Sequence, residues 1–447
     1  MKNFDAKKIL SIVFICLIVF FMGTIGVKYV MSNVLYIYPQ VQNTAEAQPT
    51  ETQTPSYDWS KDYPFSGDYG FNFETPEIVE TKEDEDDEEP SPMKNFENFV
   101  RGIEGNIDYY SSNLLLGRMK FVELNASFNK FVGMNIVSGT DSVVVMRNGY
   151  LTFEAKPIST DYAEESTAYF SDWLSKRNIN FLYVQCPPKE NPLDNQLPHG
   201  IKDNYNLNTD NLINGLAEKN VPYIDLRQNL NADFDDHYSC FFKTDHHWLP
   251  ETGVWAAGQI ANELNRLYSY GINPEIGNLS NYNIDIYENH FLGSQGKKVT
   301  LKYTDPENFS LIYPKTNTDF TVQFEKQDKI SGSFEKTLLD LSPLETIDYY
   351  NSFVYSTYFR GNPSITTIHN NKLDNSKRMV YIMDSFSACV IPFLAMEVED
   401  MLVLDLRNFN GSVTTAIEEF NPDTVIVAYN PSTLSADTSH YGTFNFE

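Results

Sequence analysis

Five short apolar runs constrain this chain more than any other feature: FLYVQC (181–186), VPYIDL (221–226), RMVYIM (378–383), MLVLDL (401–406) and DTVIVAY (423–429). Each reads as a buried strand. Segments of helical character lie between them. Over 161–177, Tyr162, Tyr169, Phe170, Trp173 and Leu174 recur at helical spacing. Residues 209–219 and GSVTTAIEEF (411–420) read as further helices, and 385–399 as one kinked or interrupted at Pro392. Strand–helix–strand alternation implies an α/β fold: a parallel sheet with right-handed crossovers. Residues 270–375 differ, being rich in Asn, Thr, Tyr and Ser, with β-like runs KVTLKY (298–303) and DFTVQFE (319–325). They read as an irregular β-containing insertion, with a separate small domain as the alternative.

The folded part begins near residue 95. Before it, Lys2, Lys7 and Lys8 precede the uncharged run ILSIVFICLIVFFMGTIGV, 9–27. This run is long enough to cross about 30 Å of hydrocarbon and has a weak cleavage exit, which suggests an uncleaved transmembrane signal anchor. The positive-inside rule places residues 1–8 in the cytoplasm and the rest outside, on the cell membrane. Residues 28–94 are rich in Thr, Pro, Glu, Asp, Gln and Ser and include EDEDDEE at 83–89. That composition predicts a disordered stalk. It also accounts for much of the net charge of −28, from 33 Lys+Arg against 61 Asp+Glu. Without a basic face, nucleic acid is excluded as a partner. Cys186, Cys240 and Cys389 lie in the folded part. An odd number cannot all pair internally. They read as small buried hydrophobes, with a Cys186–Cys240 disulfide as the alternative.

Two segments carry chemistry. In KTDHHWLPETGVWAA (243–257), Pro250 suits the first turn of a helix whose apolar face is Val254, Ala257, Ala261 and Leu264. Asp245, His246 and His247 then sit in the loop entering it. An Asp two residues before a His can turn back onto the imidazole, fix its tautomer and stabilise the imidazolium. In YIMDSFSA (381–388), Ser385 lies where a buried strand ends and a helix begins, beyond the carboxyl end of the sheet. There the amides at and after Ser385 point at an incoming oxyanion. Ser385 needs a base, and His247 is the candidate. The plainer readings are a helix N-cap for Ser385, a structural hydrogen bond for Asp245–His247, and a metal site at His246 and His247.

TDHHWLPETG resembles the motif of the DHHW protein family. It is similar to the D-x-H-W-x-P segment of the alginate O-acetyltransferase group of the SGNH-hydrolase superfamily. CPPKE (186–190), FLGSQG (291–296), FRGNPSITTIHN (359–370), MDSFS (383–387) and LDLRNFNGS (404–412) follow in the expected order. The resemblance covers about 150 to 430. It implies a three-layer flavodoxin-like fold, with Asp245 as orienter, His247 as base and Ser385 as nucleophile. It implies acetyl transfer to, or hydrolysis from, cell-surface polysaccharide, beside a multi-pass membrane O-acyltransferase and with no cofactor or metal. Met383 stands where the family pattern has Gly, and a side chain there is expected to crowd the serine turn.

Softer candidates surround these. Asn362 or Gly293 would complete an oxyanion hole. Arg407 would hold a glycan hydroxyl or carboxylate, or form a surface salt bridge. Trp248 would shape the acyl pocket or pack beneath the helix. Lys189 would bind substrate or sit solvated in its loop. Two other functions compete: a glycan-binding scaffold with a degenerate site, and a metal-dependent DHH-type phosphoesterase. The latter needs further upstream aspartates and a Gly-rich C-terminal segment that the chain lacks.

Overall fold

The computed structural model of the chain describes residues 118–137, 142–434 and 442–447. The expected cytoplasmic end (1–8), anchor (9–27) and stalk (28–94) lie outside the described residues. Among those described, no helix is long and apolar enough to cross a membrane. Helix α1 is Arg118–Phe131, and the other described elements lie within Asn129–Glu447.

In chain order these are β1 (Ile136–Val137), β2 (Val143–Val145), β3 (Leu151–Phe153), α2 (Asp161–Ser175), β4 (Asn180–Gln185), α3 (Asn204–Glu218), β5 (Tyr223–Asp225) and α4 (Leu226–Asp233). Then come α5 (Pro250–Tyr268), β6 (Tyr282–Phe291), α6 (Ser294–Val299), β7 (Glu307–Pro314), β8 (Phe320–Phe324), β9 (Ile330–Gly332) and α7 (Phe334–Leu338). Last are β10 (Ile365–Asn370), β11 (Arg378–Met383), α8 (Ile391–Leu394), β12 (Asp400–Leu404), α9 (Val413–Phe420) and β13 (Thr424–Tyr429).

The central sheet has eight strands in the order β5-β4-β13-β11-β12-β10-β8-β9. From β5 to β12 every pairing is parallel, as the apolar runs predict. Alternate side chains along each strand enter two different cores. Met379, Tyr381 and Met383 of β11 join one core with α4, α5 and α8. Val380 and Ile382 join the other with α2, α3 and α9. The result is three layers, helices on both faces of a sheet, as the resemblance implies.

Part of the 270–375 stretch joins this sheet, while β6 and β7 pair with each other in a separate two-stranded sheet. Strand β10 pairs antiparallel with β12, from Ile365 opposite Leu404 to His369 opposite Asp400, and β8 and β9 extend the edge. DFTVQFE is a strand as expected, but KVTLKY is not. Lys298 and Val299 end helix α6, and Val299 is buried against Val137, Val143 and Leu151 of the small sheet β1-β2-β3. A short apolar run does not by its periodicity separate strand from buried helix. The helix expected over 385–399 is interrupted, as a 3-10 turn at Ser385–Cys389 followed by α8, with the break just before Pro392. Ser387 donates to the Asp384 carbonyl and Val390 to that of Ser387, both three residues back, and Pro392 has no N–H to continue an α-helix. Cys186, Cys240 and Cys389 are free and buried, so the Cys186–Cys240 pairing does not form.

Two features hold the loops at the carboxyl end of the sheet. Gly253 in α5 packs directly on the serine turn: a Cβ there would lie 2.3 Å from Cys389 Sγ and 2.6 Å from its carbonyl oxygen. His237 sits buried beneath the loop after β4, with Nε2 3.1 Å from the Lys189 carbonyl and 3.3 Å from that of Pro188. Burial pushes its pKa down to about 4, against the carbonyls that favour the protonated ring.

Gly253→Ala is expected to lower stability by about 1–3 kcal/mol through overpacking, read by denaturant unfolding. Between about pH 6.5 and 4 the unfolded chain binds a proton at His237 that the folded chain refuses, so this residue's contribution makes stability fall as pH drops through that window. His237→Gln should flatten the pH dependence of unfolding free energy there by up to about 3 kcal/mol. An unchanged slope would show that His237 is not the titrating group.

Candidate active site

The DHHW segment forms the tip of a tight turn. Leu249 donates to the Cys240 carbonyl (2.9 Å) and Phe242 to that of His247 (3.2 Å), which closes the turn over 240–249. Glu307, at the start of β7, accepts from the Lys243 and Thr244 amides, both at 2.7 Å. Pro250 then opens α5, as expected.

Asp245 is almost fully buried. Its Oδ1 accepts from the His247 amide (3.0 Å) and lies 2.5 Å from His247 Nδ1; its Oδ2 accepts from the Ser294 amide (2.6 Å). Burial alone would raise its pKa. The imidazoles of His246 and His247 and the Ser294 amide outweigh this and hold it well below the ordinary carboxylate range. With Nδ1 donating to Asp245, His247 Nε2 accepts from Ser385 Oγ at 2.8 Å. An unbroken hydrogen-bonded chain therefore runs from a buried carboxylate through an imidazole to a serine hydroxyl 138 residues away in sequence.

Ser385 occupies the first position of its 3-10 turn, just past the carboxyl end of β11, and is 8% exposed. Asp384, which the sequence did not single out, shapes this turn. Its Oδ1 accepts from the Phe386 amide (3.0 Å) and its Oδ2 from the Asn430 amide beyond β13 (2.6 Å). Burial raises its pKa to about 6 even though the Arg407 charge pulls it down. The amides of Phe386 and Ser387 are thus engaged by Asp384 and do not face an oxyanion, contrary to expectation. The donor this turn offers is the amide of Ser385 itself, at a turn N-terminus that supplies it no acceptor.

Met383 does not crowd the turn. Its side chain is fully buried in the core shared with Trp248 and Phe386, and the Ser385–His247 bond is intact. Trp248 is also fully buried and donates through Nε1 to the Phe386 carbonyl (3.0 Å) and Cys389 Sγ (3.1 Å). It supports the serine turn from below rather than lining an acyl pocket.

The other candidates have varied fates. Gly293 does not offer its amide to an oxyanion, because that N–H donates to Thr244 Oγ1 (3.0 Å). Its lack of a side chain matters instead: a Cβ would lie 2.2 Å from that of Asp245. Lys189 is neither solvated nor aimed at substrate. Its ammonium is buried, donating to the carbonyls of Leu151 (2.6 Å) and Asp245 and to Gln295 Oε1 (3.2 Å), and burial lowers its pKa to about 8. Arg407 grips buried Asp405 with two bonds, Nε at 2.9 Å and a terminal nitrogen at 2.7 Å. Asn362 is buried with its Oδ1 lacking a partner, and follows three left-handed residues, Phe359 (φ 54°), Arg360 (φ 54°) and Gly361 (φ 86°). Positive φ at two consecutive non-glycine residues is strained and persists only where the surrounding packing holds it.

Asp245, His246 and His247 also bring one potential metal-ligand atom each within 4.8 Å of one another. Their donors are otherwise engaged. Both Asp245 oxygens hold N–H groups, and both His247 nitrogens serve the chain to Ser385. A metal would have to break that chain. The His246 ring lies tilted by 36° against His247 with centroids 3.9 Å apart, and burial followed by the neighbouring His247 pushes its pKa well down. Tyr355 stacks on His247 at 4.0 Å and 15°; no motif in the sequence pointed to it.

A comparison with curated proteins found no match. The fold is shared with PatB1 of Bacillus cereus, at 21% identity and a TM-score of 0.56, covering 69% of this chain and 100% of that one. PatB1 has also been solved with a sulfonyl adduct (21% identity, TM-score 0.57, 69% of this chain and 99% of that one). A DHHW family protein from Eubacterium siraeum matches at 21% identity and TM-score 0.51, covering 69% of this chain and 96% of that one. Residues 150–281 match the family described as SGNH hydrolase-like domain, acetyltransferase AlgX, and the resemblance read from the DHHW segment holds.

Proposed function

We propose that this chain is a serine O-acetyltransferase or acetylesterase acting on cell-surface polysaccharide. The observation that carries the reading is the Asp245–His247–Ser385 hydrogen-bonded chain at the carboxyl end of a parallel sheet. The match to an SGNH-type acetyltransferase family and the sulfonyl adduct of PatB1 support it.

In this reading Ser385 Oγ attacks the acetyl carbonyl while His247 Nε2 takes its proton. Asp245 holds the tautomer and stabilises the imidazolium. The Ser385 amide and the Asn362 side-chain amide receive the oxyanion. His247 then returns the proton to the leaving group, and the acetyl ester on Ser385 passes to a sugar hydroxyl or to water. Arg407 pairs with Asp405, and its charge draws the Asp384 carboxyl downward. Ser385 is buried and the His247 ring lies against those of Tyr355 and Phe386, which limits water and favours transfer. The apolar run 9–27 anchors the chain in the cell membrane with the folded part outside, beside a multi-pass membrane O-acyltransferase that supplies acetyl groups.

A fluorophosphonate probe is expected to label Ser385 in the full chain and to leave Ser385→Ala unlabelled. Acetyl transfer from an activated ester should fall by about three orders of magnitude or more in Ser385→Ala, and by a similar amount in Asp245→Asn through loss of the correct tautomer. Equal rates in wild type and Ser385→Ala would remove the serine from the mechanism. Protease added to intact cells should digest the folded part and leave residues before 28 protected; full protection would reverse the topology.

A further inference from the structure

Tyr355 lies in no recognised motif, yet it touches both ends of the Ser385–His247 contact. Its ring lies over the His247 imidazole, centroids 4.0 Å apart and planes 15° from parallel. Its hydroxyl lies 3.0 Å from the Cys389 thiol and 3.5 Å from the Phe386 carbonyl, both in the turn that Ser385 opens. Trp248, adjacent to His247, donates to the same two groups from the other side. The segment carrying Tyr355 is itself held in place. Lys297 of α6 donates to the Ser352 carbonyl (2.8 Å) and lies 3.8 Å from the centre of the Phe353 ring. Helix α6 begins at Ser294, whose amide holds Asp245.

We propose that Tyr355 is a positioning residue: its ring fixes the plane of the His247 imidazole, and its hydroxyl ties that plane to the serine turn. The inference rests on the reading of Ser385 as nucleophile. Hydrogen bonds at Nδ1 and Nε2 fix where the two nitrogens lie but leave the ring free to tilt about the line between them. A face-on contact removes that tilt. It also offers an aromatic face to the imidazolium formed when Ser385 gives up its proton. The other groups facing His247 are Asp245 and His246 from its own loop and Asp384, Ser385 and Phe386 from the serine turn. The His246 and Phe386 rings are tilted to the imidazole by 36° and 43°, whereas Tyr355 lies within 15° of parallel.

Tyr355→Phe keeps the ring and loses the hydroxyl; Tyr355→Leu loses both. In the full chain, Tyr355→Leu is expected to lower kcat for acetyl transfer by about tenfold with KM nearly unchanged, as misorientation of a base does. Tyr355→Phe should stay within about threefold of wild type. The low-field proton resonance of the short Asp245–His247 bond should persist in wild type and Tyr355→Phe and broaden in Tyr355→Leu. Should the Leu variant fail to fold, Tyr355→Met takes its place. A wild-type rate and sharp resonance in the ring-less variant overturn the proposal, as does a loss in Tyr355→Phe equal to that in Tyr355→Leu. If the wild-type chain takes no fluorophosphonate label, the functional reading fails by itself, and the resonance still decides whether the ring orients His247.

Discussion

The buried carboxylate of Asp245 is the constraint on which the rest of the site depends. Taking an ionised carboxylate out of water costs several kcal/mol, and only well-placed donors offset it. Asp245 has three, at 2.5 to 3.0 Å: the His247 ring, the His247 amide and the Ser294 amide. Hydrogen bonds to a charged group contribute roughly 1.5–3 kcal/mol each, so the set is of the size needed. Each donor also imposes geometry. The His247 contacts set the ring tautomer, and the Ser294 contact brings α6 against the turn, which is sterically allowed only because residue 293 is glycine. Beneath, the buried Lys189 ammonium takes the Asp245 carbonyl.

The insertion thereby acquires a purpose. It adds three antiparallel strands to the sheet edge, and its first part (Gly293, Ser294 and Gly296 of FLGSQG, with Glu307) grips the tip of the DHHW turn. A later part brings Tyr355 over His247. The serine turn belongs instead to the parallel strands, fixed by Asp384 to β13 through Asn430. The acid and imidazole are thus held by one portion of the chain and the hydroxyl by another. Trp248 and the close approach of Gly253 to Cys389 join the two. That division suits a site whose middle hydrogen bond must make and break while its ends stay still.

Several residues have roles that follow from burial rather than from type. From sequence Lys189 read as a substrate group or a solvated loop lysine, and Arg407 as a glycan-holding group or a salt-bridge partner; Lys189 is enclosed, and Arg407 pairs with Asp405. Met383 looked obstructive by its size, but strand alternation turns it into the core, on the face occupied by α5 and α8. Asp384 drew no notice, although it takes up two of the amides that would otherwise face a reacting oxygen, one through its side chain and one through its carbonyl.

By itself the sequence determined the parallel core, the helix beginning at Pro250, the Asp245–His247 pairing and the place of Ser385 at a strand end. All of these arise from interactions within a few residues: apolar runs, helical periodicity, a proline at a first turn, a carboxylate two residues from its imidazole. It did not determine that strands of the insertion would extend the same sheet, that the first part of 385–399 would be a 3-10 turn, or what Gly293, Lys189, Arg407 and Tyr355 would do. Those outcomes depend on which surfaces meet after the chain has folded. Neither local propensity nor spacing encodes a contact between residues 138 apart, such as His247 and Ser385; the packing of the sheet, the insertion and α5 decided it.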